Sequence, residues 1–290
     1  MNVEIKTKTN LRRINVKRVT KTVKKLFIEA NTILGEDVVE ALHQALSREE
    51  SETGRQVLRK IIENADIARR KKMPICQDTG LAIVFVEIGQ DVHIVGGAMH
   101  AAIEEGIRQA YEEGYLRKSV CDPLTRKNTT DNLPAIIHVD IVSGNRLRII
   151  AMPKGGGSEN VSAVKMHTPA AGIDGIKKFV CETVNRAGAN PCPPVIVGVG
   201  IGGSLEQACV MAKKALLRPV GEANRIDERV EQLERELYQS INNLGIGPAG
   251  FGGRVTALAV HVEMMPCHIA SLPVAVNIQC HVARHKETTL

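Results

Sequence analysis

Apolar residues recur at three- and four-residue steps through the first third of the chain. Val23, Leu26, Phe27 and Ala30 keep that step, as do Val38, Val39, Leu42 and Leu46, and then Val57, Ile61, Ile62 and Ala65. Each set falls on one face of a helix, which predicts amphipathic helices over about 19–30, 37–47 and 49–69. KKMP ends the third, because Pro74 disfavours helical geometry at Met73. Apolar runs follow at LAIVFVEI (81–88), PAIIHVDI (134–141) and RLRIIAM (146–152), each read as a strand. The last two flank Ser143, Gly144 and Asn145 and are expected to form a hairpin. Between the first two, residues 96–114 have a helical period. The second half predicts helices over 172–187, 204–217 and 225–244, and strands at PPVIVGVG, RVTALAVHVE (254–263) and LPVAVNIQC (272–280). Such an order predicts a mixed α/β fold. An N-terminal helical segment (1–75) precedes two α/β lobes (76–190 and 191–290), with mixed sheets flanked by helices. No internal repeat or low-complexity linker divides the chain.

Composition narrows the class. With 290 residues, 43% of them hydrophobic and 24% charged, the chain is long enough for a sizeable core and too apolar to be disordered. No apolar run approaches the roughly 20 residues of a membrane span, and the first residues lack the apolar core of a secretory leader. A cytoplasmic protein with no membrane partner is expected. Residues 1–25 carry nine Lys or Arg against one acid, Glu4, and read as a solvated basic face. Three Tyr, four Phe and no Trp leave few platforms for stacking bases, so nucleic acid is not an expected partner.

GVGIGG (198–203) fits G-x-G-x-x-G, but a dinucleotide fold puts that turn in its first βαβ unit, with an acid about 20 residues on. Here the nearest acid is Glu222, beyond Pro219 and Gly221, which argue against a buried parallel strand. The glycines read better as a strand-to-helix joint. A non-catalytic nucleotide-binding chain remains the competing class. The glycine-rich segments 154–160 and 245–253 read as functional loops, where a backbone comes close to a ligand.

Seven cysteines, an odd count, make a disulfide framework a poor expectation. Cys181 and Cys209 sit in helical segments and read as core; Cys121 and Cys267 are ambiguous loop residues. Cys76, Cys192 and Cys280 each stand at the end of a rigid element, where a ligand is held and partly exposed. No C-x-x-C pair occurs, so spacing alone does not choose three of seven. Neighbours add weight: Gln77 and Asp78 follow Cys76, and His281 and Arg284 follow Cys280.

PICQDTG, KGGGSEN, NPCPPVIVGVGIGG, LGIGPAGFGG, EMMPCH and QCHVARH, in that order, resemble the α subunit of the class I, iron–sulfur fumarate hydratases, to which tartrate dehydratase α is closely related. The likeness runs from about residue 10 to the end. It implies a [4Fe–4S] cluster on Cys76, Cys192 and Cys280, its fourth iron open to a small dicarboxylate and to oxidants. Position by position it implies that Gln77 and Asp78 lie beside that iron, Asp78 handling the departing hydroxyl. Arg117 would clamp a carboxylate in bidentate fashion, Gly156 would meet substrate through its backbone, and His268 would stand near the second carboxylate. The plain alternatives are a helix-ending surface arginine for Arg117, a loop histidine for His268, and a solvated Lys154 with Glu159 and Asn160 as helix caps. The family's T-G-R-D motif, which belongs to a β region, is missing from this chain, as is a base for the substrate's C3 proton. The resemblance therefore implies a separate β subunit in an α2β2 assembly. The implied reaction is reversible hydration of fumarate to L-malate; dehydration of L-tartrate to oxaloacetate is the alternative.

Overall fold

The structure is a computed structural model that describes residues 11–290. The first ten residues of the basic arm lie outside the described residues. By its internal contacts the chain forms two compact units, one of residues up to 32, 76–153 and 284–290, the other of residues 33–75 and 154–283. The chain passes between the units at 32/33, 75/76, 153/154 and 283/284. The mixed α/β class is as the sequence predicts.

In the first unit, β1 (Arg12–Asn15) pairs in parallel with β3 (Val92–Val95), and α1 (Val16–Thr32) packs along α4 (Met99–Glu113). The 3.6-residue pattern is realised: Val19, Val23, Leu26 and Phe27 are buried in one core with Ile103, Ile107 and Tyr111, and Ala30 is buried as well. Close approach of the two helices depends on Gly106, where a Cβ would stand 2.7 Å from the Thr20 carbonyl oxygen. The sheet runs β10 (Lys286–Thr289), β5 (Leu147–Lys154), β2 (Leu81–Gly89), β4 (Ile136–Val142). The expected hairpin is not formed. β2 lies between β4 and β5 and pairs in parallel with β4. The 143–145 turn instead crosses the end of β2, which is possible because Gly89 has no Cβ to meet the Gly144 oxygen, 2.3 Å from where one would stand.

In the second unit, α2 (Glu36–Arg48) and α3 (Glu52–Lys71) pack together, and the short α5 (Gly156–Glu159) precedes the sheet. That sheet runs β6 (Ala163–His167), β9 (Leu272–Gln279), β7 (Val195–Gly203), β8 (Ala257–Cys267), with β7 parallel to β8 and antiparallel to β9. Alternation along β7 explains GVGIGG. Val197, Val199 and Ile201 enter the core shared with α6 (Gly172–Ala187) and α8 (Glu228–Asn242). Gly198 and Gly200 face α7 (Leu205–Ala215), where added Cβ atoms would stand 2.1 Å from the Ala212 oxygen and 2.0 Å from the Ala208 oxygen. These glycines let a helix backbone lie directly on a strand. Gly200→Ala should therefore lower stability by about 3 kcal/mol through overpacking, read as a lower urea midpoint at unchanged m-value.

Candidate functional site

Cys192 and Cys280 meet at one end of the second sheet. Cys280 directly follows β9, whose Gln279 is in register with Ile196 at the start of β7, and Cys192 lies three residues before that strand. Cys192 is exposed and holds a left-handed conformation, φ 54°, sparsely populated for a residue with a Cβ. Two bonds fix it: its N–H donates to the Ala189 carbonyl at 3.0 Å, and its own carbonyl accepts from Nδ1 of His281 at 2.8 Å. Burial disfavours the charged His281 ring and holds its pKa below the usual histidine range. The neutral tautomer with its proton on Nδ1 is thus the one that makes this bond. A cavity of about 870 Å³ adjoins, lined by His281, Phe251 and residues of α3.

The 154–160 loop lies at the same end. Ser158 Oγ donates to Gln279 Oε1 at 3.3 Å, and Gly157 passes the Asn190 carbonyl, 3.6 Å from where a Cβ would be. Lys154 is not solvated: it is fully buried. Its Nζ donates to Ser158 Oγ at 2.7 Å and to the Ile278 carbonyl at 2.8 Å, and stands 3.3 Å from the Glu159 carboxylate. Burial pulls the Lys154 pKa down to about 8, against the opposing pull of Glu159. Burial alone would raise Glu159, but Lys154, Lys213 and the Asn277 amide together hold it low. Glu159 thus anchors a buried polar network and does more than cap a helix. Sequence reading missed this; the available signal was a lysine closing the apolar run RIIAMP.

In the first unit, Cys76, Gln77 and Asp78 form the turn before β2. The Asp78 N–H donates to Cys76 Sγ at 3.4 Å, Gln77 Oε1 lies 3.3 Å from that sulfur, and the Gly80 N–H donates to Asp78 Oδ1 at 3.0 Å. Thr79 Oγ1 donates to the Arg117 carbonyl at 2.8 Å, so Arg117 is tied to this turn. Its side chain is exposed and pairs with no acid among the described residues. Tyr111 Oη shares its proton between the Thr79 and Gly80 carbonyls, at 2.9 and 2.8 Å. Arg284 completes the support. Its Nη2 donates to the Asp78 carbonyl and its Nε to the Pro153 carbonyl at 3.4 Å, while its buried Nη1 has no partner.

His268 does not join Cys192 and Cys280. It follows β8, beside the Gly203 end of β7, whereas Cys280 lies beyond the other end of β9. β9 is 8 residues long, so at roughly 3.4 Å per residue it carries the chain about 25 Å. The 12-residue separation of His268 from Cys280 is spent on an extended strand. His268 is exposed in a turn, where Nδ1 accepts the Ala270 N–H at 3.2 Å.

None of the seven cysteines is in a disulfide. Burial raises the pKa of Cys181 and Cys209, as expected of core thiols. Among the described residues no three His, Cys, Asp or Glu side chains are gathered tightly enough to hold a single metal ion. One ion about 2.3 Å from each sulfur would require such crowding. A cluster places each thiolate on a different iron and requires wider spacing. The donors are of the chemical kind that such a group takes: thiols at element ends in each unit, and a buried guanidinium N–H lacking an acceptor beside the Cys76 turn. Among the described residues, no helix is long and apolar enough to cross a membrane.

A family model described as fumarate hydratase (Fumerase) matches residues 20–289. The putative L(+)-tartrate dehydratase subunit alpha of Methanocaldococcus jannaschii is 47% identical over 273 residues, 92% of this chain and 95% of that one. The L(+)-tartrate dehydratase subunit alpha of Escherichia coli K12 is 31% identical over 279 residues, 95% of this chain and 91% of its own. These likenesses define a chain of the hydro-lyase class. It belongs to the fumarate hydratase family.

Proposed function

We propose that this chain is the α subunit of an iron–sulfur hydro-lyase that reversibly hydrates fumarate to L-malate, its site completed by a β subunit. The observation that carries the proposal is the bond from His281 to the Cys192 carbonyl, which keeps the segments of two of the three proposed ligands together. Cys76, Cys192 and Cys280 would hold the [4Fe–4S] cluster. When bound, the cluster supplies a Lewis acid for the substrate hydroxyl without redox change. Asp78, fixed by the Gly80 N–H, handles the proton of that hydroxyl, and Gln77 orients it. Arg117 offers an uncommitted planar guanidinium, suited to bidentate grip on a carboxylate. Gly156 presents its backbone to the other end of the substrate.

Because His268 stands at the opposite end of the sheet from Cys192 and Cys280, the clamp role implied for it would fall in the site of a second α copy. This chain offers no evident base for the C3 proton, so the base belongs to the β subunit. The names of the relatives favour a second reading, L(+)-tartrate as substrate; the KGGGSEN loop favours fumarate. Anaerobic assays with fumarate, L-malate and both tartrates should separate the two. The isolated chain should show under about 1% of the activity it gains on mixing with the β subunit, since half of the acid–base pair is missing. Full activity of the chain alone would exclude the two-subunit site.

A further inference from the structure

Arg284 is 3% exposed, yet no carboxylate among the described residues lies within ion-pair distance of it. Its two bonds go to neutral carbonyls, those of Asp78 and Pro153, and its Nη1 is buried without an acceptor. A buried, uncompensated guanidinium destabilises the fold, and an unmade buried bond adds to that cost. Such a group survives in a stable fold when something anionic completes it. The position narrows what that is. Asp78, held by Nη2 of Arg284, donates its own N–H to Cys76 Sγ, so the guanidinium is one residue's bonding away from a proposed ligand thiol. Along the chain, Arg284 also follows Cys280 by four residues. A donor this deeply buried suits a resident group better than a substrate that enters and leaves with each turnover.

We propose that Arg284 is a charge partner of the iron–sulfur cluster at its Cys76 side: its spare N–H donates to a cluster sulfur or to the Cys76 thiolate, and its charge offsets the negative charge there. This rests on the reading of Cys76, Cys192 and Cys280 as ligands. Donors to cluster sulfurs and nearby positive charge both raise the reduction potential. The same residue fixes the turn that carries Cys76, so loss of the side chain acts on cluster retention as well.

The test compares wild type, Arg284→Gln and Arg284→Lys, each full-length, co-purified with the β subunit and reconstituted without oxygen. The cluster's potential is followed by EPR during reductive titration, and iron release to a chelator is timed. Arg284→Gln should make reduction at least tenfold less favourable, a shift of about 59 mV for one electron, and should release iron faster. Arg284→Lys, which keeps the charge but not the fork, should fall between. A merely structural role would lower the melting temperature of the metal-free protein and leave the potential alone. A brown Arg284→Gln protein with wild-type potential overturns the proposal, as does an effect that appears only with a dicarboxylate bound. Should Arg284→Gln not fold, Arg284→Lys decides: unchanged potential and iron retention overturn the proposal. Wild-type protein that takes up no iron overturns the ligand reading and this proposal with it, a result distinct from failure of Arg284 alone.

Discussion

Cys76→Ser, purified without oxygen alongside wild type, should be colourless, lack iron and sulfide, and keep less than about one-hundredth of the hydro-lyase activity. A serine hydroxyl is not ionised at neutral pH and is a harder, poorer ligand for iron than a thiolate. The turn at 76–78 aims one sulfur between the Asp78 N–H and the Gln77 side chain, and no other thiol lies in that turn to replace it. Cys192→Ser and Cys280→Ser should behave alike. Cys121→Ser and Cys267→Ser should stay brown and active. In the same experiment, a brown Cys76→Ser protein or a colourless Cys267→Ser protein would overturn the ligand assignment. Iron and sulfide content read by colorimetry give the answer independently of any substrate.

Glu49→Ala should cost about 4 kcal/mol of stability, the largest loss expected outside the thiols. Glu49 joins α2 to α3 and is 2% exposed. Its Oε1 accepts the N–H groups of Glu50 at 2.9 Å, Ser51 at 2.9 Å and Arg254 at 3.0 Å, and its Oε2 accepts that of Val255 at 2.8 Å. One side chain thus satisfies four backbone donors on two segments 200 residues apart. Alanine strands all four, each at about 1–3 kcal/mol before water or local collapse recovers part. Gln should cost about half as much, since it retains one acceptor oxygen but presents an amide donor to donors. Burial alone would raise the Glu49 pKa, yet these N–H groups hold it below 4.5. Its stabilisation is therefore complete above pH 4.5 and is lost as pH falls through the lower folded value. Urea midpoints of wild type and Glu49→Ala should converge in acid; a constant gap down to pH 2 would contradict this account.

The long helices are legible in the sequence because burial enforces a period. Val19, Val23, Leu26 and Phe27 have to enter the core that holds Tyr111, and their spacing records it. Short strands carry no such mark. RRIN, VHIV, AVKMH and KETT have too few residues or too little alternation, and β10 finds its place through β5, more than 130 residues earlier. The hairpin expectation failed for a related reason: nothing between Val142 and Leu147 reports that β2 passes beneath the turn. Three candidate ligands could be singled out because each stands where a rigid element stops. The distance of His268 was not legible, because twelve residues of sequence are short as a helix and long as a strand. Nor were the buried states of Lys154 and Arg284, which depend on segments that adjoin only once folded.

The order of the segments also sets an order of events during synthesis. Residues 284–290 leave the ribosome after every residue of the second unit, yet they provide the edge strand that borders β5 and the side chain that grips the Asp78 carbonyl. A nascent chain paused at residue 283 has a sheet one strand short and lacks the guanidinium that bonds the Asp78 carbonyl. The sheet of the first unit is thereby completed only after the whole of the second unit has been synthesised.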